Sequence, residues 1–300
     1  MKNNITKFLA YNGKVSIIVA DTTNLVQETR DIHDLTPTTT AAMGRAITAM
    51  AMIAHTDLKD EKDSITAQFK GNGPIEGITA IAMHKDNKTS TVKAYIKNPH
   101  IELPLNEKGK LDVGGAIGRE GYLNIIKQNE ETLARYSGMV PLVSGEIAED
   151  FTNFFAYSQQ KPTAIGLGVL VDKNGVRKSG GYIINLMPDA TEKEITAIED
   201  ALKDSKSISE MLDLNMSLYE IAKKLTGDDE IQILEENLDA IYECDCSRER
   251  TEKGFIAIGK DDLKKIIDED EKAEVECHFC HKKYNFTKEE LEKILEGMDK

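Results

Sequence analysis

Cysteine is nearly absent from this sequence. The first 243 of its 300 residues contain none, and the four that follow are too few for a secreted scaffold held together by disulfides. The N-terminal residues alternate between apolar and polar around Asn12-Gly13, which predicts a hairpin instead of a signal peptide. We therefore expect a cytoplasmic, reducing compartment, where clustered cysteines commonly bind metals or undergo redox chemistry.

Long apolar runs and known catalytic motifs are also missing. The longest mainly apolar stretch, residues 41–54, contains Arg45 and is too short to span a bilayer, so no membrane association is expected. The glycine-rich segments 71–74 and 114–118 match neither a Walker motif nor a dinucleotide fingerprint. We interpret both segments as turns, and we expect a protein that is not an enzyme.

Basic residues are in deficit. The chain has 38 Lys and Arg against 52 Asp and Glu, so its formal net charge is −14. Residues 231–300 contain 12 basic and 20 acidic side chains, so this last block alone carries a charge of −8. An acidic surface repels phosphate backbones, and we therefore expect no nucleic-acid partner.

A series of strand-like segments joined by hairpin turns fills the first part of the chain. The turns at Asn12-Gly13 and at residues 172–175 predict a mainly antiparallel sheet, with one further strand over residues 116–127. Residues 41–53 are rich in Ala and Met and predict a helix. The expected class is α+β, with residues 1–188 forming an N-terminal domain of antiparallel sheet and packed helices.

The pattern changes after Pro188. Residues 189–230 are highly charged and contain three short amphipathic helical patterns, the first of which begins with a capping box of Thr191 and Glu194. Helices this short are marginal on their own, so we expect a helical linker that depends on packing against its neighbours. Residues 231–300 are predicted to form a small C-terminal module that needs a metal to fold.

The four cysteines form two close pairs within this C-terminal module. Cys244 and Cys246 are separated by one residue, and Cys277 and Cys280 by two. Four thiolates at this spacing are typical of a single tetrahedral Zn²⁺, with zinc–sulfur bonds of about 2.3 Å. A closed site of four cysteines leaves no position for a catalytic water, so one structural or regulatory zinc per chain is expected.

Two alternatives remain open for this site. His278 or His281 could replace one sulfur, and the zinc could be either a permanent staple or a redox switch. Sulfurs around such an ion lie roughly 3.7 Å apart, whereas a disulfide needs about 2.05 Å, so oxidation within a pair requires little chain movement. If zinc supplies the folding energy of the module, oxidation of the cysteines would unfold the module.

The residues around both cysteine pairs resemble the bacterial redox-regulated chaperones of the 33-kDa heat shock protein family. The resemblance rests on residues 242–250 (YECDCSRER) and 277–286 (CHFCHKKYNF). It extends upstream to residues 68–74 (QFKGNGP) and 157–163 (YSQQKPT), and so covers essentially the whole chain.

The resemblance implies a holdase, an ATP-independent chaperone that binds unfolding client proteins during oxidative stress. In this family the reduced, zinc-bound form is inactive. Oxidation would form the disulfides Cys244–Cys246 and Cys277–Cys280, release zinc and loosen the linker. The oxidised form is expected to be a homodimer, with residues 1–188 as the client-binding and dimerisation domain.

The linker stripe of Ile195, Ile198 and Leu202 is expected to cover apolar surface on the sheet and to uncover it on activation.

A nucleic-acid-binding zinc ribbon is the main alternative function, although the acidic charge of the chain opposes it. A thiol oxidoreductase is a further alternative that lacks the expected βαβ context around Cys-x-x-Cys.

Overall fold

A computed structural model describes residues 2–298. Its first ten strands form one sheet, in the order β7-β6-β3-β4-β5-β10-β1-β2-β9-β8, and the last two form a separate hairpin. The strands are β1 (Asn4–Ala10), β2 (Val15–Asp21), β3 (Asp63–Gly71), β4 (Ile78–His84), β5 (Thr89–Ile96), β6 (Gly121–Asn129), β7 (Arg135–Pro141), β8 (Thr163–Asp172), β9 (Gly175–Leu186), β10 (Gln232–Tyr242), β11 (Lys272–Glu276) and β12 (Lys283–Thr287). Every pairing is antiparallel except the parallel one between β5 and β10.

The helices pack on this framework and complete an α+β fold, as predicted. They are α1 (Thr23–His33), α2 (Pro37–Asp57), α3 (Val113–Ile117), α4 (Ala148–Tyr157), α5 (Glu192–Lys203), α6 (Ile208–Asp213), α7 (Leu218–Thr226), α8 (Arg248–Ile258), α9 (Lys260–Glu269) and α10 (Lys288–Gly297). Among residues 2–298, no helix combines the length and the apolar character needed to cross a membrane.

Helix α2 forms the centre of the main core. Every residue from 38 to 54 is buried except Arg45, because the small Ala and Gly side chains let the helix lie close to the sheet. Thr36 caps the helix by accepting a hydrogen bond from the backbone N–H of Thr39, and Pro37 occupies the first helical position, where no N–H partner is needed.

The two faces of strand β2 show how the sheet is covered on both sides. Ile18 and Ala20 point into the core that contains α2, whereas Ile17 and Val19 point into a second cluster formed with α5, α6 and α7. Side chains alternate between faces along a strand, so the two clusters lie on opposite sides of the sheet. The three helices of residues 189–230 thus cover the face that α2 does not.

The chain divides into two compact units at a different place from the predicted domain boundary. One unit ends at Glu243 and the other begins at Cys244, whereas the sequence placed residues 231–300 together. The reason is strand β10, which enters the middle of the large sheet. It pairs with β1, where Ile5 lies opposite Leu238, and with β5.

The glycine-rich segments that we interpreted as turns pack tightly against each other. A side-chain carbon at Gly73 would lie 2.4 Å from the carbonyl oxygen of Ala116, and Gly118 has a φ of +90°. The strand expected from residue 116 begins only at Gly121, since residues 113–117 form α3. These glycines therefore serve close backbone packing within the first unit.

Candidate metal centre

The four cysteines lie at the edges of regular elements in the second unit. Cys244 and Cys246 precede α8, whose N-cap Ser247 accepts a hydrogen bond from the backbone N–H of Arg250. Cys277 and Cys280 lie in the turn that joins β11 to β12. The two pairs therefore enter the site from different parts of the chain.

The second pair is held by a tight turn. The backbone N–H of Cys277 donates to the carbonyl of Lys282 at 3.0 Å, and the N–H of His281 donates to the carbonyl of Cys277 at 2.8 Å. His281 has a φ of 58°, which lets the chain reverse within this short segment. The turn fixes the backbone on both sides of Cys280.

The structure brings the sulfurs of all four cysteines within 4.8 Å of one another. Cys244 Sγ lies 3.7 Å from Cys277 Sγ, and Cys246 Sγ lies 3.5 Å from Cys280 Sγ. These distances match the roughly 3.7 Å expected between sulfurs around one tetrahedral zinc. The donor set and its spacing therefore fit a zinc ion, and all four residues are half-buried free thiols.

Histidine takes no part in this cluster. Within the described residues, the four cysteines are the one group of His, Cys, Asp and Glu side chains close enough to share an ion. His281 Nδ1 instead lies 2.6 Å from Glu276 Oε1. The arrangement thus favours four sulfurs over a mixed Cys₃His site.

The local environment shifts the pKa values of the thiols in different directions. Burial raises the pKa of Cys244 and of Cys280. Burial also raises the pKa of Cys246, but hydrogen bonds from the Tyr284 hydroxyl and the other thiols outweigh it, so this pKa is lowered. The protein alone therefore does not favour four thiolates, and a bound cation would supply the missing positive charge.

Tyr284 is a site residue that the sequence analysis missed. Its hydroxyl donates a hydrogen bond to Cys246 Sγ at 3.2 Å, and this bond raises the pKa of Tyr284. The alternation of Tyr284 and Phe286 in β12 was the available signal, because both residues point inward from a short strand.

The core beneath the cysteines is small. Phe255 and Phe286 meet edge to face with ring centroids 5.0 Å apart. Arg248 lies 4.2 Å from the centroid of the Phe286 ring and donates to the carbonyl of Asn285 at 2.9 Å. The buried members of this cluster are Phe255, Leu263, Ile267, Tyr284, Phe286 and Leu291.

The helices of residues 189–230 pack against the large sheet, as the sequence analysis expected. Ile198 is buried against the sheet, whereas Ile195 and Leu202 are half-buried. The predicted capping box is present, and Lys14 in the β1–β2 turn donates to Glu194 at 3.0 Å. These helices cover one face of β1, β2 and β9 in this structure.

Comparisons with known proteins agree with this arrangement. The family model described as "Hsp33 protein" matches residues 3–287. The chain is 44% identical to a 33 kDa chaperonin of Thermoanaerobacter sp. (strain X514) and 43% identical to one of Clostridium beijerinckii, covering 98% of this chain in each case and 98% and 99% of the relatives. A crystal structure of a 33 kDa chaperonin from Thermotoga maritima matches with a TM-score of 0.87 at 32% identity, over 100% of both chains.

Proposed function

Since this chain belongs to the Hsp33 family of heat-shock chaperones, we propose that it is a redox-regulated holdase that works without ATP. The observation that carries the proposal is the cluster of four thiols at zinc-binding distances in a unit with a small apolar core. A unit of this size depends on its metal for much of its folding energy. Removing the ligands would then unfold it.

The ligands of the proposed zinc are Cys244, Cys246, Cys277 and Cys280, one ion per chain. The ion, when bound, holds the thiols as thiolates, which are the form that reacts with oxidants. Tyr284 orients the sulfur of Cys246 through its hydroxyl. The site has no open position at which a water could be activated, which agrees with a switch and not with an enzyme.

The proposed switch oxidises each close pair separately. One hydrogen peroxide accepts two electrons from Cys244 and Cys246, and with two protons it becomes two waters as the sulfur–sulfur bond forms. A second peroxide does the same for Cys277 and Cys280. The two sulfurs of each pair, which lie within 4.8 Å of each other, must approach to about 2.05 Å, and no thiolate then remains to hold a zinc ion.

Client capture would follow from release of the neighbouring helices. Residues 189–230 act as a metastable linker that covers apolar residues of the sheet, among them Phe8 and Ile17. Their release exposes both the helix stripe and the sheet face to unfolded clients. In this proposal residues 1–188 bind clients and form the homodimer of the oxidised state, and the protein acts in the cytoplasm.

The test combines zinc release with client protection. The reduced, zinc-loaded protein is treated with peroxide at a mildly elevated temperature, while a chromogenic chelator reports zinc and light scattering reports aggregation of an unfolding client. We expect about one zinc released per chain together with suppressed aggregation. Zinc release without suppression would contradict the proposal. Salt-dependent RNA binding by the reduced form would favour the zinc-ribbon alternative.

A variant with all four cysteines changed to serine is the matched control. It keeps all ten methionines, which peroxide can also oxidise. We expect its activity to be independent of peroxide, because it cannot hold the zinc or form a disulfide. A peroxide-dependent gain in this variant would assign the switch to methionine oxidation.

A further inference from the structure

An open cavity of about 760 Å³ lies in the first unit, remote in sequence from the cysteines. Its floor is formed by three neighbouring strands. Lys7 pairs with Ile18 and Leu9 with Ser16, and these residues of β2 pair in turn with Ile183 and Asn185 of β9. Directly paired residues point to the same face of a sheet, so these six side chains form one continuous surface.

The walls of the cavity are mostly apolar. Phe155 at the end of α4, Met187 after β9 and Leu234 of β10 all line it. Leu234 is 55% exposed and Met187 is 40% exposed, so both stand at the mouth. The volume falls within the range of about 300–1,000 Å³ that is typical of small-molecule sites.

The charged groups around the cavity are unbalanced. Lys7 pairs with Glu235 at 2.7 Å, and Asp57 lies 3.8 Å from Lys127. No residue in the described range 2–298 is a partner for the ammonium of Lys161, which also lines the cavity. One uncompensated positive charge therefore stands beside apolar walls, in a chain whose net charge is −14.

We propose that this cavity binds a single-chain anionic amphiphile, a carboxylate with an alkyl tail of about eight to twelve carbons. The tail lies along Leu9, Ile18 and Ile183, across a floor that spans three strands and so about 10 Å. The carboxylate pairs with Lys161 at the mouth. Both parts of the ligand are needed, since most of the lining surface is apolar and Lys161 offers an unpaired positive charge.

Calorimetric titration of the reduced, zinc-loaded protein with decanoate, below the concentration at which it forms micelles, tests the proposal. We expect one decanoate per chain and an affinity about tenfold higher than that of octanoate, because two more methylenes are buried. Decanol should bind at least about fivefold more weakly than decanoate. The titration uses neither client nor oxidant, so its outcome is independent of the chaperone proposal.

Three variants locate the site. Lys161→Gln should weaken decanoate binding about fivefold, while Lys173→Gln, an exposed lysine on the β8–β9 turn, should leave it unchanged. Leu234→Glu places a carboxylate at the mouth on an exposed position and should weaken binding more than tenfold. Absence of saturable binding, equal binding of decanol, or indifference to Lys161→Gln and Leu234→Glu would each overturn the proposal.

Discussion

Replacing Ile221 with alanine measures how firmly helices α5–α7 are held on the sheet. Ile221 is 0% exposed and lies in the cluster that also contains Phe8 and Ile17. The change removes three carbon groups, which accounts for about 2.4 kcal/mol at about 0.8 kcal/mol each. The remaining cavity adds to this, so we expect a loss of about 3 kcal/mol, within the range of about 2–5 kcal/mol seen for such sites.

Native-state hydrogen exchange reports this loss residue by residue. If residues 192–226 open as one cooperative segment, 3 kcal/mol raises their opening constant by about 150-fold. The amides of α5, α6 and α7 should then lose protection together. The amides of β3 and β6, which β4, β5 and β10 separate from the strands beneath these helices, should keep theirs, because the opening is local.

Leu214→Ala is the matched control for this experiment. Leu214 lies in the same segment but is 61% exposed, so its loss should change stability by no more than about 0.5 kcal/mol. If Ile221→Ala raised exchange no more than Leu214→Ala, apolar packing would not be what holds the helices. If β3 and β6 lost protection equally, the helices would not form a separable linker.

Three further outcomes are expected. Hydrogen bonds, the largest from the Thr191 hydroxyl, lower the pKa of Glu194 from 4.5 to about 2. The stabilisation by the Glu194 carboxylate is therefore complete above pH 4.5 and is lost as the pH falls toward 2. Glu194→Gln should reduce the pH dependence of stability over this interval, as followed by circular dichroism during acid unfolding. Removing zinc with a chelator should abolish exchange protection in the C-terminal unit while the large sheet stays protected. Arg248→Ala should destabilise the zinc-loaded C-terminal unit by about 1–2 kcal/mol in thermal unfolding, through its lost contact with Phe286, while Lys253→Ala changes little.

Much of the first unit could be predicted because its signals are local. The hairpin around Asn12-Gly13 and the Ala-rich helix α2 follow from turn chemistry and helix propensity within a few residues. Strand β10 could not be placed in this way, since its first six residues are all exposed, Ile233 and Leu234 included, and its partners in β1 lie at the other end of the chain. The sequence therefore grouped residues 231–243 with the C-terminal module, whereas β10 pairs with β1 and β5.

In the candidate site, too, local sequence patterns predict some features and not others. Spacing was enough to group the four cysteines, because the ligands of one zinc ion are usually supplied as close pairs. The hydrogen bond from Tyr284 to Cys246 joins residues 38 positions apart, and the ring contact of Arg248 with Phe286 is equally distant. Such contacts depend on how the hairpin and α8 pack, which no local pattern encodes.

The position of β10 also affects how the large sheet can form while the chain is being synthesised. It is the last strand of the large sheet to be synthesised, yet it fills the gap between β5 and β1. On a ribosome that adds about 5–20 residues per second, β1 waits roughly 10–50 s for this partner. Until then the nascent chain has two half-sheets, of five and four strands, each with an open inner edge of the kind that invites aggregation. A chain interrupted before Gln232 would keep both edges open, so during its own synthesis this chaperone resembles the proteins it protects.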